Sequence, residues 1–307
     1  MRNAYLDQLY ELAGKDTDVL ALISDNGAIV YDKFHRDFPN QYMNFGISEA
    51  NMIAAAAGMA SRGKIPFAYT IGAFLAYRAL EFIRNDVCYQ NQNVKIVGIG
   101  SGCVYANLGP THHATEDISI LRAMPNLTIF SPASPLEAKK ATQAAYEINS
   151  PVYIRLGRNG EPEIYNGDYD FVPGKGISLR DGKDITLVGT GTTVYDLLKV
   201  ADELQKQKIS ARVIDIHTLK PFDEEIIEKA AEETGAILTV EDHSIYGGLG
   251  SIVAEVIAEK RLNVKFAKMG LTGFAEGYGS YEDVKERNKI DAGNIAYQAK
   301  SLLLHKY

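Results

Sequence analysis

The sequence is poor in cysteine. Its 307 residues contain two, Cys88 and Cys103. Two thiols cannot build a disulfide framework or a cysteine-rich zinc site. Both lie in apolar segments, which predicts small buried side chains in a reducing compartment.

The chain also lacks long hydrophobic runs and an excess of positive charge. No apolar segment approaches the ~18 residues that a membrane-spanning helix needs, and the first residues do not form the apolar core of a signal peptide. The formal net charge is −7 at pH 7, which disfavours general binding to nucleic acid or to an anionic membrane. We therefore expect a cytoplasmic protein with no nucleic-acid partner and no membrane partner.

Several nucleotide and hydrolase motifs are missing as well. A Gly-Lys-Ser/Thr phosphate loop and a Gly-x-Ser-x-Gly elbow do not occur in the sequence, which argues against a P-loop NTPase and an α/β-hydrolase. Gly189-Thr190-Gly191 has part of a dinucleotide fingerprint but no third glycine. A tight strand-to-helix turn is the better interpretation of this segment.

Short apolar runs alternate with amphipathic stretches along the whole chain, which predicts an α/β fold. The continuous run Ile96 to Ile99 is typical of a parallel sheet buried on both faces. In the first half we predict strands at 19–23, 65–69, 94–99, 127–130 and 152–155, and helices at 49–62, 72–90, 115–122 and 135–149. In the second half we predict strands at 185–188, 211–216, 236–240 and 264–269, and helices at 193–207, 223–234 and 249–260, with a last helix that ends near Leu304.

Turn-forming residues interrupt this alternation between about 159 and 184. We therefore predict two doubly wound α/β domains with mostly parallel sheets. The first covers 1–165, a linker covers 166–184, and a smaller second domain covers 185–307.

A Gly-Pro turn is followed by two adjacent histidines, His112 and His113. They stand between a predicted strand and a predicted helix, where open α/β sheets bind ligands. Histidine transfers protons near neutral pH, so a catalytic or ligand-contacting role and a structural hydrogen-bonding role are both open. Glu116 and Asp117 follow but do not complete a metal-ligand set, which disfavours metal binding by this chain.

Two further clusters have competing interpretations. Phe74 and Tyr77 are spaced i, i+3 on a predicted helix, a pattern of core residues as well as of a cofactor platform. Glu241-Asp242-His243 is followed by a glycine-rich turn. These three residues are either a proton relay or part of a glycine-hinged subunit contact.

Taken together, five segments resemble the carboxy-terminal half of the transketolase family, which uses thiamine diphosphate. The resemblance covers nearly the whole chain and implies a pyrimidine-binding domain followed by the family's C-terminal domain. The segments are Phe45 to Met52, Thr70 to Tyr77, Gly109 to His112, Ile154 to Arg158, and Val240 to His243 with the adjoining Tyr246 to Gly250.

The resemblance implies roles for three residues at the cofactor. Glu49 matches the glutamate that hydrogen-bonds the aminopyrimidine ring nitrogen and stabilises the imino tautomer, whose nitrogen takes the proton from C2 of the thiazolium. Phe74 and Tyr77 match aromatic positions that pack against the pyrimidine ring. The thiazolium then acts as the electron sink.

Three more residues match positions beyond the pyrimidine. His112 matches a catalytic histidine that contacts the donor substrate near the reacting carbons. Arg158 matches an arginine that binds the substrate's terminal phosphate, a role suited to a bidentate fork. Asp25 matches an acidic position near the cofactor and the subunit contact.

Two departures from the family pattern concern the donor. Leu108 stands where the family usually has an acidic residue that reads a sugar hydroxyl, and the region of Gly100 to Gly102 lacks a donor-contacting histidine. A site without its hydroxyl partner loses strong discrimination. Xylulose 5-phosphate is therefore not singled out, and a deoxy, modified or carrier-linked sugar or a simpler 2-oxo compound stays open.

The family's Gly-Asp-Gly segment, which holds the diphosphate and Mg²⁺, is absent from this sequence. The resemblance thus implies that an N-terminal partner subunit binds the diphosphate and Mg²⁺, in a homodimer of heterodimers that transfers a two-carbon ketol unit between small sugars. The alternatives are a β subunit of a 2-oxo acid dehydrogenase first component or a deoxyxylulose-phosphate-synthase-like acyl-transferring subunit. A non-catalytic scaffold that kept the fold is the third hypothesis.

Overall fold

The computed structural model describes residues 1–304, so the last three residues of the predicted second domain lie outside the described residues. The strands are β1 Val19–Ile23, β2 Tyr42–Asn44, β3 Ile65–Ile71, β4 Lys95–Ile99, β5 Thr128–Phe130, β6 Val152–Leu156, β7 Ile177–Arg180, β8 Ile185–Gly189, β9 Ala211–Asp215, β10 Thr218–Lys220, β11 Ala236–Ser244 and β12 Lys265–Leu271. The α-helices are α1 Arg2–Ala13, α2 Asp32–Asp37, α3 Glu49–Ala60, α4 Gly72–Arg78, α5 Leu80–Phe82, α6 Asp117–Arg122, α7 Pro135–Glu147, α8 Thr193–Lys206, α9 Glu224–Thr234, α10 Leu249–Lys260, α11 Tyr281–Arg287 and α12 Ala292–Leu304.

The strands form two sheets, and the prediction of two α/β domains with mostly parallel sheets is confirmed. The first sheet has seven strands in the order β10-β5-β6-β4-β3-β1-β2, and the second has five in the order β12-β11-β8-β9-β7. All pairings are parallel except β10 with β5 and β7 with β9. The inner strands β4, β6 and β8 are buried along their whole length, as expected for a sheet covered on both faces.

The sequence did not predict the helices α1, α2 and α11 or the strands β2, β7 and β10. Helix α1 buries Tyr5, Leu9 and Leu12 against the first sheet, although its apolar side is narrow. Strand β7 lies within the segment predicted as a linker and pairs with β9. Strand β10 follows β9 in the second half of the chain but joins the edge of the first sheet beside β5. Such non-local pairing depends on the arrangement of the domains and has no local sequence signal.

The helix predicted at 72–90 is not continuous. It divides into α4, the short α5 and a π-helical segment at Ile83–Cys88. The side chains of Ile83, Val87 and Cys88 nevertheless all reach the core. A π-helical segment shifts the helix register by one residue, and this is invisible to a pattern of period 3.6.

The core of the chain continues from one domain into the other. Apolar side chains of α3 and of the segment around Ile83 form one cluster with Ile216 of the second half and with Ile227 and Val253 on α9 and α10. Cys88 and Cys103 are buried and free, as predicted. Within residues 1–304, no helix is long and apolar enough to cross a lipid bilayer.

The parallel strands of the first sheet all end at the same edge. Strands β1, β3, β4 and β6 end there, and each is followed by a segment that contains predicted site residues. This carboxyl edge is where open parallel sheets place their ligands.

Candidate active site

Glu49 begins helix α3 at the carboxyl edge of the first sheet, and its side chain is only 4% exposed. The turn before it is held by the Ser24 hydroxyl, which donates to the Gly46 carbonyl (2.7 Å) and accepts the N–H of Ser48 (3.1 Å). Ser48 occupies the N-cap position of the helix, and its side chain makes no capping bond. The helix dipole favours a carboxylate at this position.

Arg78, at the end of α4, pairs with this carboxylate. Its Nη1 lies 3.1 Å and 3.2 Å from the two oxygens of Glu49. The guanidinium also stacks on Phe74, with its central carbon 4.1 Å from the ring centroid. One cation therefore bridges a buried carboxylate and an aromatic face. The sequence reasoning missed Arg78, although its place four residues after Phe74 on the same helix was a usable signal.

His112 lies against the same phenylalanine. The two rings are 5.0 Å apart and inclined at 62°, an edge-to-face contact. The Nδ1 atom of His112 is within 3.0 Å of the Thr111 hydroxyl, so Nε2 is the nitrogen that is presented away from the loop backbone. Glu49, Arg78, Phe74 and His112 thus form one continuous group.

Tyr77 contacts Glu116, which lies four residues beyond His112. Its hydroxyl donates to Oε2 of Glu116 (2.6 Å) and accepts the N–H of the same residue (3.2 Å). Burial, together with the carboxylates of Asp117 and Glu116, raises the pKa of the Tyr77 phenol. The hydroxyl therefore keeps its proton and holds Glu116 in place.

The neighbouring histidine, His113, is 2% exposed, and neither of its ring nitrogens has a hydrogen-bond partner. Burial lowers its pKa, so the ring is neutral at physiological pH. The two adjacent histidines therefore differ in environment: His112 faces Phe74, and His113 faces the interior.

Asp25 and Arg158 lie at the same edge but apart from this group, and the described residues show no hydrogen bond or ion pair that joins either to Glu49 or His112. Asp25 is exposed, with a left-handed backbone (φ 56°), and its N–H donates to Oδ1 of Asn44 (3.1 Å). Arg158 stacks over Tyr105, 5.4 Å from the ring centroid. It lines a cleft of about 500 Å³ between the two domains.

The Glu241-Asp242-His243 cluster is buried inside the chain, which is incompatible with an exposed subunit contact for these three residues. Glu241 accepts the N–H groups of Leu249 (2.7 Å) and Gly250 (2.8 Å) and so caps helix α10. Asp242 turns toward the first domain and accepts the N–H of Cys103 (3.0 and 3.1 Å). The cluster therefore serves helix capping and domain contact.

Comparison with known proteins agrees with this architecture. Residues 1–162 match the profile described as "Transketolase, pyrimidine binding domain". Residues 174–295 match the profile described as "Transketolase, C-terminal domain".

Individual relatives are similar over most of their own length. The chain is 40% identical over 266 residues to a subunit of the apulose-4-phosphate transketolase of Phocaeicola vulgatus, and the match covers 86% of this chain and 85% of the relative. It is 38% identical over 283 residues to the 6-deoxy-6-sulfo-D-fructose transketolase subunit of a Clostridium species, with 89% and 88% covered.

A solved structure described as "Split gene transketolase, inactive beta4 tetramer" superposes with a TM-score of 0.92 at 38% identity, over 100% of this chain and 99% of that one. The chain therefore belongs to the transketolase family of thiamine-diphosphate-dependent transferases and contains the family's pyrimidine-binding and C-terminal domains.

Proposed function

We propose that this chain is the C-terminal subunit of a split transketolase that transfers a two-carbon ketol unit between sugars or sugar phosphates. The relatives that it matches along most of their length carry the names of transketolase subunits. The observation that carries the proposal is the group formed by Glu49, Phe74 and His112 at the carboxyl edge of the first sheet.

The residues of this group fit the aminopyrimidine end of thiamine diphosphate. A buried carboxylate at the first turn of α3 suits a hydrogen bond to a ring nitrogen, because solvent does not compete there. The face of Phe74 already binds a flat delocalised cation, the guanidinium of Arg78, and so suits a stacked heteroaromatic ring. The ring of Tyr77 supplies a second apolar surface, while its hydroxyl holds Glu116.

When bound, the cofactor's thiazolium would accept the electron pair released as the carbon–carbon bond of the donor breaks. Glu49 would hold the pyrimidine in the tautomer that moves a proton. His112, oriented by Thr111, would present Nε2 to the substrate oxygens and exchange a proton with them. Arg158 would bind a terminal anionic group of the substrate through its planar fork. Asp25 would lie near the contact with the neighbouring subunit.

A partner subunit completes the site in this proposal. The sequence has no Gly-Asp-Gly segment, so the partner would bind the diphosphate and Mg²⁺. The proposed assembly is a homodimer of heterodimers in the cytoplasm, which agrees with two free buried thiols.

Reconstitution tests this function. The chain is mixed with its N-terminal partner, thiamine diphosphate and Mg²⁺, and ketol transfer is measured with xylulose 5-phosphate, apulose 4-phosphate and 6-deoxy-6-sulfofructose as donors. We expect transfer from at least one of them and a loss of at least ~100-fold in Glu49→Ala. Glu11→Ala changes an exposed glutamate on α1 and serves as the control.

Two results would contradict the proposal. Transfer that survives Glu49→Ala would remove Glu49 from the reaction. CO₂ release from pyruvate or a branched 2-oxo acid, without transfer from any sugar, would instead favour the acyl-transferring alternatives.

A further inference from the structure

His112 lies in a loop that is closed at its base. Gly102 and Ala114 exchange both backbone hydrogen bonds, each 3.0 Å long, and the segment between them contains two short 3₁₀ turns, Ala106–Leu108 and Pro110–His112. We call residues 102–114 the His112 loop. Since His112 is only two residues from Ala114, any shift at the base of the loop moves its imidazole.

Hydrogen bonds from both domains hold the two sides of this base. The Asp242 carboxylate accepts the N–H of Cys103, at 3.0 and 3.1 Å from its two oxygens. On the other side, Nη2 of Arg155 donates to the Ala114 carbonyl (3.0 Å) and to the backbone carbonyl of Asp242 (2.9 Å). Just beyond the loop, the N–H of Ser244 donates to the Thr115 carbonyl (2.7 Å). Strand β11 therefore contacts the loop directly at Cys103 and is linked to its other end through Arg155 and Thr115.

The approach of Asp242 depends on a glycine. A β-carbon at Gly102 would lie 2.1 Å from Cγ of Asp242, and Gly102 has a left-handed backbone with φ of +56°. A larger residue at this position would separate the loop from the aspartate. The close contact is thus built into the backbone of the loop.

Helix α11 fixes the aspartate in turn. The Tyr281 hydroxyl donates to Oδ2 of Asp242 (2.6 Å) and lies 3.0 Å from the Thr192 hydroxyl. The base of the loop also packs in a small apolar cluster in which Cys103 and Ala106 contact C-terminal side chains, among them Val284. Asp242 is 2% exposed, so its hydrogen bonds are shielded from water.

From these contacts we infer that Asp242, held by Tyr281, is a positioning residue for His112. The C-terminal domain then sets the geometry of the catalytic loop through the Asp242–Cys103 hydrogen bonds. This inference rests on the proposed role of His112 in ketol transfer. A displacement of a reacting group by about 1 Å costs ~100-fold in rate, so a loosened base has a measurable effect.

The test uses the complex assembled with the partner subunit, thiamine diphosphate and Mg²⁺. Asp242→Asn and Tyr281→Phe are mild changes that keep side-chain volume. We expect Asp242→Asn to lower kcat/KM about tenfold, chiefly through kcat, and Tyr281→Phe to lower it less. The Kd for thiamine diphosphate should stay within about twofold, because Glu49 lies on α3 and Phe74 on α4, outside the His112 loop.

A matched control is Asp215→Asn. Asp215 is buried like Asp242, lies in the same domain and is within 2.7 Å of a tyrosine hydroxyl, that of Tyr165, but it is not part of the His112 loop contacts. The kcat/KM of the Asp215→Asn complex should equal that of the wild type. A loss as large as that of Asp242→Asn would mean that any buried carboxylate of this domain matters, and it would overturn the inference.

A double-mutant cycle with His112→Ala separates positioning from general support. If Asp242 acts through His112, Asp242→Asn should change kcat/KM by less than about twofold in the His112→Ala background. Equal losses in both backgrounds would overturn the inference.

Hydrogen exchange in the same complex gives a readout besides activity. We expect amides of residues 103–114 to exchange about tenfold faster in Asp242→Asn, with the melting temperature nearly unchanged. Unaltered exchange in this segment would overturn the inference. If His112→Ala leaves ketol transfer intact, the proposed role of His112 fails, and the exchange result still decides whether Asp242 orders the loop.

Discussion

Arg78 bonds both carboxylate oxygens of Glu49, at 3.1 and 3.2 Å, while its guanidinium lies on the face of Phe74. Both of these groups are among those that the proposed function assigns to the aminopyrimidine ring. The Arg78 side chain is 50% exposed, against 4% for Glu49. The arginine therefore has room to turn into solvent, whereas the glutamate does not.

This relationship predicts that Arg78 competes with the cofactor. We expect Arg78→Ala to tighten thiamine diphosphate binding, because the cofactor then does not have to displace the arginine. The gain should be only about two- to fivefold, because a half-exposed ion pair stabilises by about 1 kcal/mol or less. Calorimetric titration of the assembled complex measures the Kd. Arg84→Ala, which changes an exposed arginine of the π-helical segment, is the control. Weaker binding in Arg78→Ala would show that the arginine supports the cofactor.

A second prediction concerns the aromatic face of Phe74. Phe74→Leu keeps an apolar side chain but removes the ring, and we expect it to weaken thiamine diphosphate binding about two- to tenfold, as for a lost stacking contact of ~0.5–1.5 kcal/mol. Phe82→Leu alters a phenylalanine that packs on the core and should leave the Kd unchanged. An unchanged Kd in Phe74→Leu would place the pyrimidine elsewhere.

The third prediction separates the ring of Tyr77 from its hydroxyl. Tyr77→Phe removes the 2.6 Å hydrogen bond to Glu116 and keeps the ring. We expect a loss of about 1 kcal/mol in the free energy of unfolding and a nearly unchanged Kd for thiamine diphosphate. Tyr77→Ala should weaken cofactor binding as well. Equal cofactor affinity in the two variants would show that the ring does not pack on the pyrimidine.

A fourth prediction arises from two buried carboxyl groups between the domains. Glu137 and Asp215 are both 0% exposed, and the Tyr165 hydroxyl lies 2.7 Å from an oxygen of each. Burial raises the pKa of Glu137, and burial together with the nearby Glu137 raises the pKa of Asp215 well above its ordinary value. The folded pair therefore holds protons at a pH where the unfolded chain has lost them.

The sign of the pH effect follows from this difference. The contribution of the pair to the free energy of unfolding is complete below the ordinary carboxyl pKa, ~4, and declines as pH rises toward the raised folded values, by up to ~1.4 kcal/mol per pH unit for each proton. We expect Asp215→Asn, which stays neutral, to reduce the slope of the free energy of unfolding against pH, measured by urea titrations at pH 5, 6.5 and 8. Asp202→Asn, at a site 72% exposed, is the control. An unchanged slope in Asp215→Asn would contradict the assignment.

The alternation of apolar runs and amphipathic stretches was enough to predict the α/β class and most strands, because strands buried on both faces read as continuous apolar segments such as Ile96 to Ile99. It was not enough for β10, whose partner β5 lies in the other half of the chain. The single helix predicted at 72–90 was wrong because the helix is interrupted at Ala79 and a π-helical segment at Ile83–Cys88 changes the register. Local patterns contain no information about either feature.

For the site, the resemblance selected Glu49, Phe74, Tyr77 and His112, but not their relations to one another. The contacts of Arg78 with Glu49 and of Asp242 with Cys103 join segments that are far apart in the chain. Pattern reasoning left the Glu241-Asp242-His243 cluster open between a relay and a subunit contact. Its burial among helix-capping and domain contacts was visible only once β11 and the His112 loop were adjacent.

The sequence by itself determined most of the secondary structure and its order, since hydrophobic periodicity and turn residues act over a few neighbours. It also determined that the Gly-Asp-Gly segment is missing. Only the tertiary structure decided which side chains meet, because the carboxyl edge of a parallel sheet gathers residues from distant loops. It brought Arg78 onto Glu49 and the C-terminal domain onto the base of the His112 loop, through directional hydrogen bonds whose partners no local pattern specifies.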